Sequence, residues 1–307
     1  MLEVILAKGK VMLNDIVEFV WLNPHYIVCS IVYYIIASVL LGGVFASYMV
    51  ALLAYTITIF ITFTPIGEKL LRFLEHVRKI ETRQEKEYLL PLFDEVYAKA
   101  KWKNPELGPV QICVIDRMIV NACALGKRTV AVTKGAMETF SEDELKAIMA
   151  HEIAHIIYGD TLARLYITVG NGIITLFVLA IMAIIFIAEW IEKLHTKSHT
   201  SFSFAWVMIA LTKVLFGLML TAIQFLMKIV MSTTSRKSEF RADRYAYKLG
   251  YGEKMVEALY ILEKIQLKDS TVIQKMIASH PRITARIEKL ENLIEGEDDM
   301  QTFSWDS

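Results

Sequence analysis

Residues 141–160 read SEDELKAIMAHEIAHIIYGD, and they hold the pattern from which the fold can be worked out. Ser141 and Glu144 have the S-x-x-E spacing of a capping box, in which each residue bonds to the backbone N–H of the other. This pattern predicts that a helix begins at Ser141 and runs to about Tyr158, where Gly159 stops it. Local signals at both ends therefore predict that this stretch forms one helix.

Three residues on that helix point to metal chemistry. His151 and His155 are one turn apart on one face, so their imidazoles can converge on a single ion, while Glu152 lies beside it. The H-E-x-x-H pattern is typical of zinc-dependent peptidases. The alternative is a solvated helix face that carries the three residues by chance.

A catalytic zinc ion needs a third protein ligand and keeps one position for water. The segment Ser238–Asp243, SEFRAD, offers Glu239 and Asp243 one helical turn apart. One carboxylate can bind a metal while the other accepts an imidazole N–H behind it. Standing alone, such a pair is usually a solvated acidic face, but here it follows the last apolar segment of the chain.

Short β-branched runs precede the helix. They predict a small sheet, with strands at Val110–Ile115, Val120–Leu125 and Thr129–Thr133. A helix is predicted over Leu90–Lys101, with Pro91 tolerated in its first turn.

Further out, the composition indicates a membrane protein. Of 307 residues 55% are hydrophobic, and the mean hydropathy is +0.42. The first apolar run, from Tyr26 to Gly67, contains no charged residue. It predicts a helical hairpin that turns at Gly42–Gly43 and ends at Pro65. Lys213 interrupts a later run, which could therefore be a buried core helix instead of a span.

The predicted organisation alternates soluble and membrane parts. Lys and Arg cluster where the soluble parts meet the membrane, so the positive-inside rule places those parts in the cytoplasm. The 33 basic and 33 acidic residues balance, which argues against a nucleic-acid partner. The expected parts are an N-terminal segment 1–25, the hairpin 26–64, a catalytic part 68–160, spans 165–188 and 204–227, and a second catalytic part 230–307. The fold class expected is an α-helical integral membrane protein with about four transmembrane helices and a mainly α cytoplasmic domain carrying a small β-sheet.

Five motifs together carry a family resemblance. They are Asn121–Gly126, Ala131–Gly135, His151–Asp160, Glu239–Asp243, and Ser279–Pro281 followed by Arg286–Ile287. In order and spacing they resemble HtpX-like membrane proteases. The related CaaX-prenyl endoproteases share the site but typically have more spans and a longer chain. The resemblance implies a gluzincin-type zincin domain on a helical bundle in the plasma membrane, with zinc-dependent endoproteolysis of membrane or misfolded proteins in quality control.

The resemblance also implies roles for individual residues. His151, His155 and Glu239 match the ligands of one Zn²⁺ per chain, Glu152 the catalytic acid/base, and Asp243 the carboxylate behind the ligands. His280 resembles the residue that stabilises the tetrahedral intermediate, accompanied by Arg286, although a His-Pro pair can simply form a turn. The strand with Asn121, Ala122, Cys123 and Ala124 resembles the edge that binds substrate backbone, with Cys123 where an aromatic residue is frequent. It could also be an ordinary edge or core strand.

Other classes of function stay open at this point. The chain could be a CaaX-type prenyl-protein endopeptidase, or a transporter in which the histidines are incidental. It could also be a scaffold that keeps the metal and cleaves nothing, although a scaffold has no chemical need for Glu152. The expected partners are protein or peptide substrates and membrane lipids, and the oligomeric state does not follow from the sequence.

Overall fold

The structure, a computed structural model, describes residues 64–162, 237–269 and 283–296, with isolated helical positions elsewhere between 53 and 218. Within these residues, no helix is both long and apolar enough to cross a membrane. The segment 1–25, Lys213, His280 and nearly all of the expected spans 26–64, 165–188 and 204–227 lie outside the described residues.

The described part is mainly helical around one small sheet. The strands are β1 Val77–Lys79, β2 Gln111–Ile115, β3 Ala122–Leu125 and β4 Thr129–Thr133. The helices are α1 Pro65–Leu74, α2 Arg83–Lys103, α3 Lys134–Thr139, α4 Glu142–Ile157, α5 at 237–246, α6 Gly252–Asp269 and α7 Ile283–Glu295.

The sheet has the order β1-β2-β4-β3, with β2 and β4 parallel and the outer pairs antiparallel. Alternate side chains point to opposite faces. Those of Ile112, Val114 and Val132 enter the main core with α2 and α4, whereas Cys113 and Ala131 form a smaller cluster on the other face. Strand β3 is an edge of the sheet, which leaves one side of its backbone available to the helices and to solvent.

Helix α4 follows the prediction from its caps. Ser141 N–H donates to the Glu144 carboxylate at 2.7 Å, and the Ser141 side chain accepts from Glu144 N–H. At the other end Tyr158 caps the helix and Gly159 has φ of 73°, a left-handed conformation that favours glycine. The helix is buried along most of its length in the main core.

Helix α2 begins earlier than the sequence suggested. The prediction started it at Leu90, but Thr82 and Glu85 form a second capping box and the helix begins at Arg83. Pro91 therefore lies inside the helix and not in its first turn, so that expectation was wrong. Burial of Leu89 and Leu92 on either side of the proline offsets the lost backbone hydrogen bond.

Pro65 has a second role besides the one expected. Thr64 adopts an extended backbone after helical positions at Ile61 and Thr62, so the chain does break there. Pro65 then opens α1 at a position where its missing N–H costs nothing. The proline that was predicted to end one helix begins the next.

Residues 237–269 pack against α4 through a bent helix. After α5, a π-helical turn at Tyr247–Tyr251 contains Gly250 with φ of 86° and ψ of 19°. A side chain is strained in this conformation, so glycine allows α5 and α6 to differ in direction. Helix α7 packs on α6 and brings Arg286 into the interior.

Candidate metal centre

Three ligand-type side chains from two helices converge at one point. The Nε2 atoms of His151 and His155 are 3.2 Å apart. Glu239 on α5 places one carboxylate oxygen 3.4 Å from His151 Nε2 and the other 3.7 Å from His155 Nε2. All three side chains are largely removed from solvent.

These spacings fit a metal ion. A tetrahedral zinc ion with ligand bonds of about 2.0–2.2 Å holds its ligand atoms roughly 3.3–3.6 Å apart. The three observed separations lie around this range, with the two contacts to Glu239 made by different carboxylate oxygens, and one ligand atom from each residue lies within 4.8 Å of the others. Two imidazole nitrogens and a carboxylate form a donor set that zinc accepts. The sequence could propose Glu239 only from its pattern, whereas the structure brings it to the histidines.

The buried side chains of Asp243 and Arg286 lie behind His151. His151 Nδ1 is 2.9 Å from Asp243 Oδ1, although the ring N–H is poorly aligned with that oxygen. Arg286 donates two hydrogen bonds to Asp243, at 2.7 and 2.6 Å, and its third nitrogen is 2.9 Å from Glu239. Arg286 therefore ties the carboxylate behind the histidine to the third ligand-type residue.

The opposite charges of Asp243 and Arg286 stabilise the ionised forms of both side chains. Burial alone would raise the pKa of Asp243, but the Arg286 charge and His151 hold it below its usual value. Burial also opposes the charge of Arg286, yet Asp243 and Glu239 raise its pKa. Burial lowers the pKa of His151, but the carboxylates of Asp243 and Glu239 close to its ring nitrogens outweigh burial and raise the pKa to about 10. A metal cation would take the place of that proton, because a ligand imidazole must be neutral.

His155 has an analogous partner that the sequence analysis did not assign. Its Nδ1 is 2.9 Å from Asp160 Oδ2, and Arg241 Nη2 donates to the other oxygen of Asp160 at 2.8 Å. The Arg241 guanidinium also lies 4.4 Å from the centre of the Tyr158 ring. The left-handed Gly159 reverses the chain so that Asp160 folds back on α4. An aspartate directly after the glycine stop was the available signal.

Glu152 lies next to the edge strand. Its Oε2 accepts a hydrogen bond from the backbone N–H of Ala124 at 2.7 Å. Cys123 pairs with Ala131 of β4, and Thr133 N–H donates to Asn121 O. Because successive residues of a strand alternate in direction, Ala122 and Ala124 turn their backbone groups away from β4.

The structure thus places most of the expected site residues together. His151, His155, Glu239, Asp243 and Arg286 form one cluster, and Glu152 connects it to β3. Ala122, Cys123 and Ala124 lie on β3, an edge strand of the sheet, and Asn121 directly precedes it. His280 is outside the described residues, so its role stays a prediction.

Comparison with known proteins gives the same class. The sequence profile of Peptidase family M48 matches residues 83–294. The "Protease HtpX" of Pseudomonas savastanoi pv. phaseolicola is 31% identical over 229 residues, which are 68% of this chain and 72% of that protein. The "Protease HtpX" of Glaesserella parasuis is 30% identical over 190 residues, 57% of this chain, and the match spans 64% of that protein's length.

The crystal structure of S. mikatae Ste24p is a looser likeness, with a TM-score of 0.46 and 21% identity over 92% of this chain and 66% of that one. The family match covers more than half of the chain, including α2 to α7 and every described residue of the candidate centre. It confirms the resemblance inferred from the motifs and the class of enzyme, a metal-dependent peptidase. The chain belongs to peptidase family M48.

Proposed function

We propose that the chain is a membrane zinc endopeptidase in which His151, His155 and Glu239 hold one Zn²⁺. The observation that carries this proposal is the convergence of two imidazole nitrogens and a carboxylate at separations of 3.2 to 3.7 Å. Membership of a metallopeptidase family implies a metal, and the nitrogen and oxygen donor set favours zinc over magnesium or calcium, which prefer oxygen ligands alone.

Glu152 is proposed as the general base. When bound, zinc would lower the pKa of water to ~7 and polarise the scissile carbonyl. Glu152 lies on the same helix as both histidines and next to the edge strand, so it can take a proton from the attacking water and return it to the leaving amine. The Ala124 N–H holds its carboxylate in place meanwhile.

The edge strand is proposed to bind the substrate backbone. Ala122 turns its N–H and C=O away from β4, and Ala124 turns its C=O the same way while its N–H bonds to Glu152. An extended peptide can add to such an edge as a further strand. Backbone hydrogen bonds supply affinity with little demand on sequence, which suits cleavage of many membrane or misfolded proteins.

The membrane location and orientation are part of the proposal and rest on the sequence. The apolar runs 26–64, 165–188 and 204–227 are long enough to span, and the basic residues beside them favour a catalytic domain in the cytoplasm. A cysteine introduced at exposed Glu138 should be shielded from a membrane-impermeant maleimide in intact cells, whereas one at Thr196 should react. The reverse pattern would contradict this orientation.

The decisive experiment for the chemistry is Glu152→Gln. The amide cannot accept a proton, but the ligand-type residues are untouched, so zinc content should stay near one per chain while cleavage of a casein-type substrate is lost. Glu138→Gln, a matched change at an exposed position, should leave both unchanged. Cleavage by Glu152→Gln at the parent rate would remove the general-base assignment, and parent protein without stoichiometric zinc would remove the metal centre.

A further inference from the structure

Helix α1 presents an apolar face to the outside. Ile66, Leu70, Phe73 and Leu74 follow one another at helical spacing and are 63%, 37%, 77% and 51% exposed. Lys69 is the charged residue on this side. The face occupies one side of this ten-residue helix.

Two charged residues of the same helix, Glu68 and Arg72, lie on its inner side. Glu68 accepts a hydrogen bond from the hydroxyl of Thr129, a fully buried residue of β4, at 2.8 Å. The charge of Arg72 partly offsets the rise in the Cys113 pKa that burial causes. Leu71 is buried on the same inner side, so α1 carries apolar side chains both inside and outside, whereas a helix on a water-soluble domain keeps its apolar side buried.

The inner side of α1 is closely packed. A Cβ added at Gly67 would lie 2.4 Å from the backbone oxygen of Thr62, and one at Gly126 would lie 2.7 Å from the Glu68 carboxylate. The glycines therefore allow the inner side of the helix to pack closely against backbone and carboxylate.

We infer that this outer face of α1, Ile66, Leu70, Phe73 and Leu74, lies in the headgroup and acyl boundary of the lipid bilayer and docks the catalytic domain on the membrane. Two observations favour lipid as the occupant. Leu53 and Ile57, one turn apart in the uncharged run that precedes α1 in the sequence, also expose their apolar side chains. Lys69 is then positioned to reach a phosphate headgroup.

Docking through α1 would fix one end of the sheet near the lipid. Glu68 bonds to Thr129, which pairs with Leu125 at the end of edge strand β3. The Leu125 end of the proposed substrate edge therefore lies beside the membrane-facing helix. A chain segment that emerges from the bilayer in extended form could meet the edge strand directly, which gives the proposed peptidase access to membrane substrates.

The test is photo-crosslinking in the bilayer. The full chain carrying benzoylphenylalanine in place of Phe73 is reconstituted in vesicles of phosphatidylcholine and phosphatidylglycerol, irradiated and examined by mass spectrometry. The matched control places the same residue at Trp102, an aromatic position on α2 that is 87% exposed. A phospholipid adduct at position 73, and none at position 102, is the expected result. If the first variant does not fold, Leu70 on the same face takes its place.

Other outcomes would overturn the inference. A crosslink from position 73 to another part of the chain or to a second copy would show that protein covers the face. Absence of an adduct, or equal lipid labelling at both positions, would show that the face does not lie in lipid. The inference rests on the proposed membrane location, and alkaline carbonate extraction separates the two failures. Protein released by carbonate would contradict the membrane location itself, whereas retained protein without the adduct would contradict only the role of α1.

Discussion

His151 and His155 each place Nδ1 against an aspartate, and each aspartate is bonded in turn to an arginine. The two arrangements share their chemistry but differ in depth and in how the chain assembles them. Behind His151, the Asp243 and Arg286 side chains are 3% and 8% exposed. Behind His155, the Asp160 and Arg241 side chains are 13% and 31% exposed.

The sequence separation differs as well. His155 and Asp160 are five residues apart, whereas His151 and Asp243 lie on α4 and α5, 92 positions apart in the sequence. Both arginines come from distant parts of the chain, Arg241 from α5 and Arg286 from α7. The local arrangement orients one histidine from the end of its own helix. The distant one links three helices and also contacts Glu239. The comparison therefore shows that the same kind of aspartate–arginine pair can mainly orient a histidine, as behind His155. It can also help to hold separate helices together, as behind His151.

Asp243→Asn should have the largest effect. It removes the charge that balances Arg286 in the interior, and breaking a buried pair in this way costs roughly 3–5 kcal/mol. We expect a drop of that order in the free energy of unfolding, measured by denaturant titration in detergent, together with weaker zinc binding. The matched control is Asp160→Asn. Equal losses in the two variants would contradict the difference in depth.

Asp160→Asn should mainly weaken the metal site. The amide can keep a contact with His155, but it lacks the charge that makes the imidazole a better ligand, and such partners are typically worth about 10–100-fold in metal affinity. Zinc affinity measured by competition with a chromophoric chelator should fall by about that factor. The unfolding free energy should change much less than in Asp243→Asn. Unchanged zinc affinity would show that Asp160 does not position His155.

Arg241→Gln should have the smallest effect. Its guanidinium is partly exposed, and ion pairs at such positions contribute about 0.2–1 kcal/mol. We expect a loss within that range in unfolding free energy and a fall in zinc affinity no greater than that of Asp160→Asn. In the double variant Asp160→Asn with Arg241→Gln, the losses should be less than additive, because Arg241 acts through Asp160. Full additivity would place the two residues in separate interactions.

Local parts of the fold were predictable because their signals lie close together in the sequence. The capping box at Ser141 and the stop at Gly159 set both ends of α4, and β4 was predicted with its observed bounds. Strand β1 was missed because three residues carry too little pattern, and its place depends on pairing with β2. The capping box at Thr82 is also a local signal, but the predicted start of α2 was placed next to Pro91 because a proline is tolerated in the first turn of a helix.

For the candidate centre, the sequence by itself determined which side chains could bind a metal. The spacing of His151 and His155 on a capped helix makes their convergence a matter of helical geometry, and an acid beside them follows from Glu152. Only the tertiary structure decided that Glu239 reaches both histidines, that Arg286 bridges Glu239 and Asp243, and that Glu152 meets the edge of β3. The physical reason is that a helix fixes neighbours within one or two turns. Contacts between distant helices depend instead on how buried apolar surfaces pack, which no local spacing in the sequence specifies.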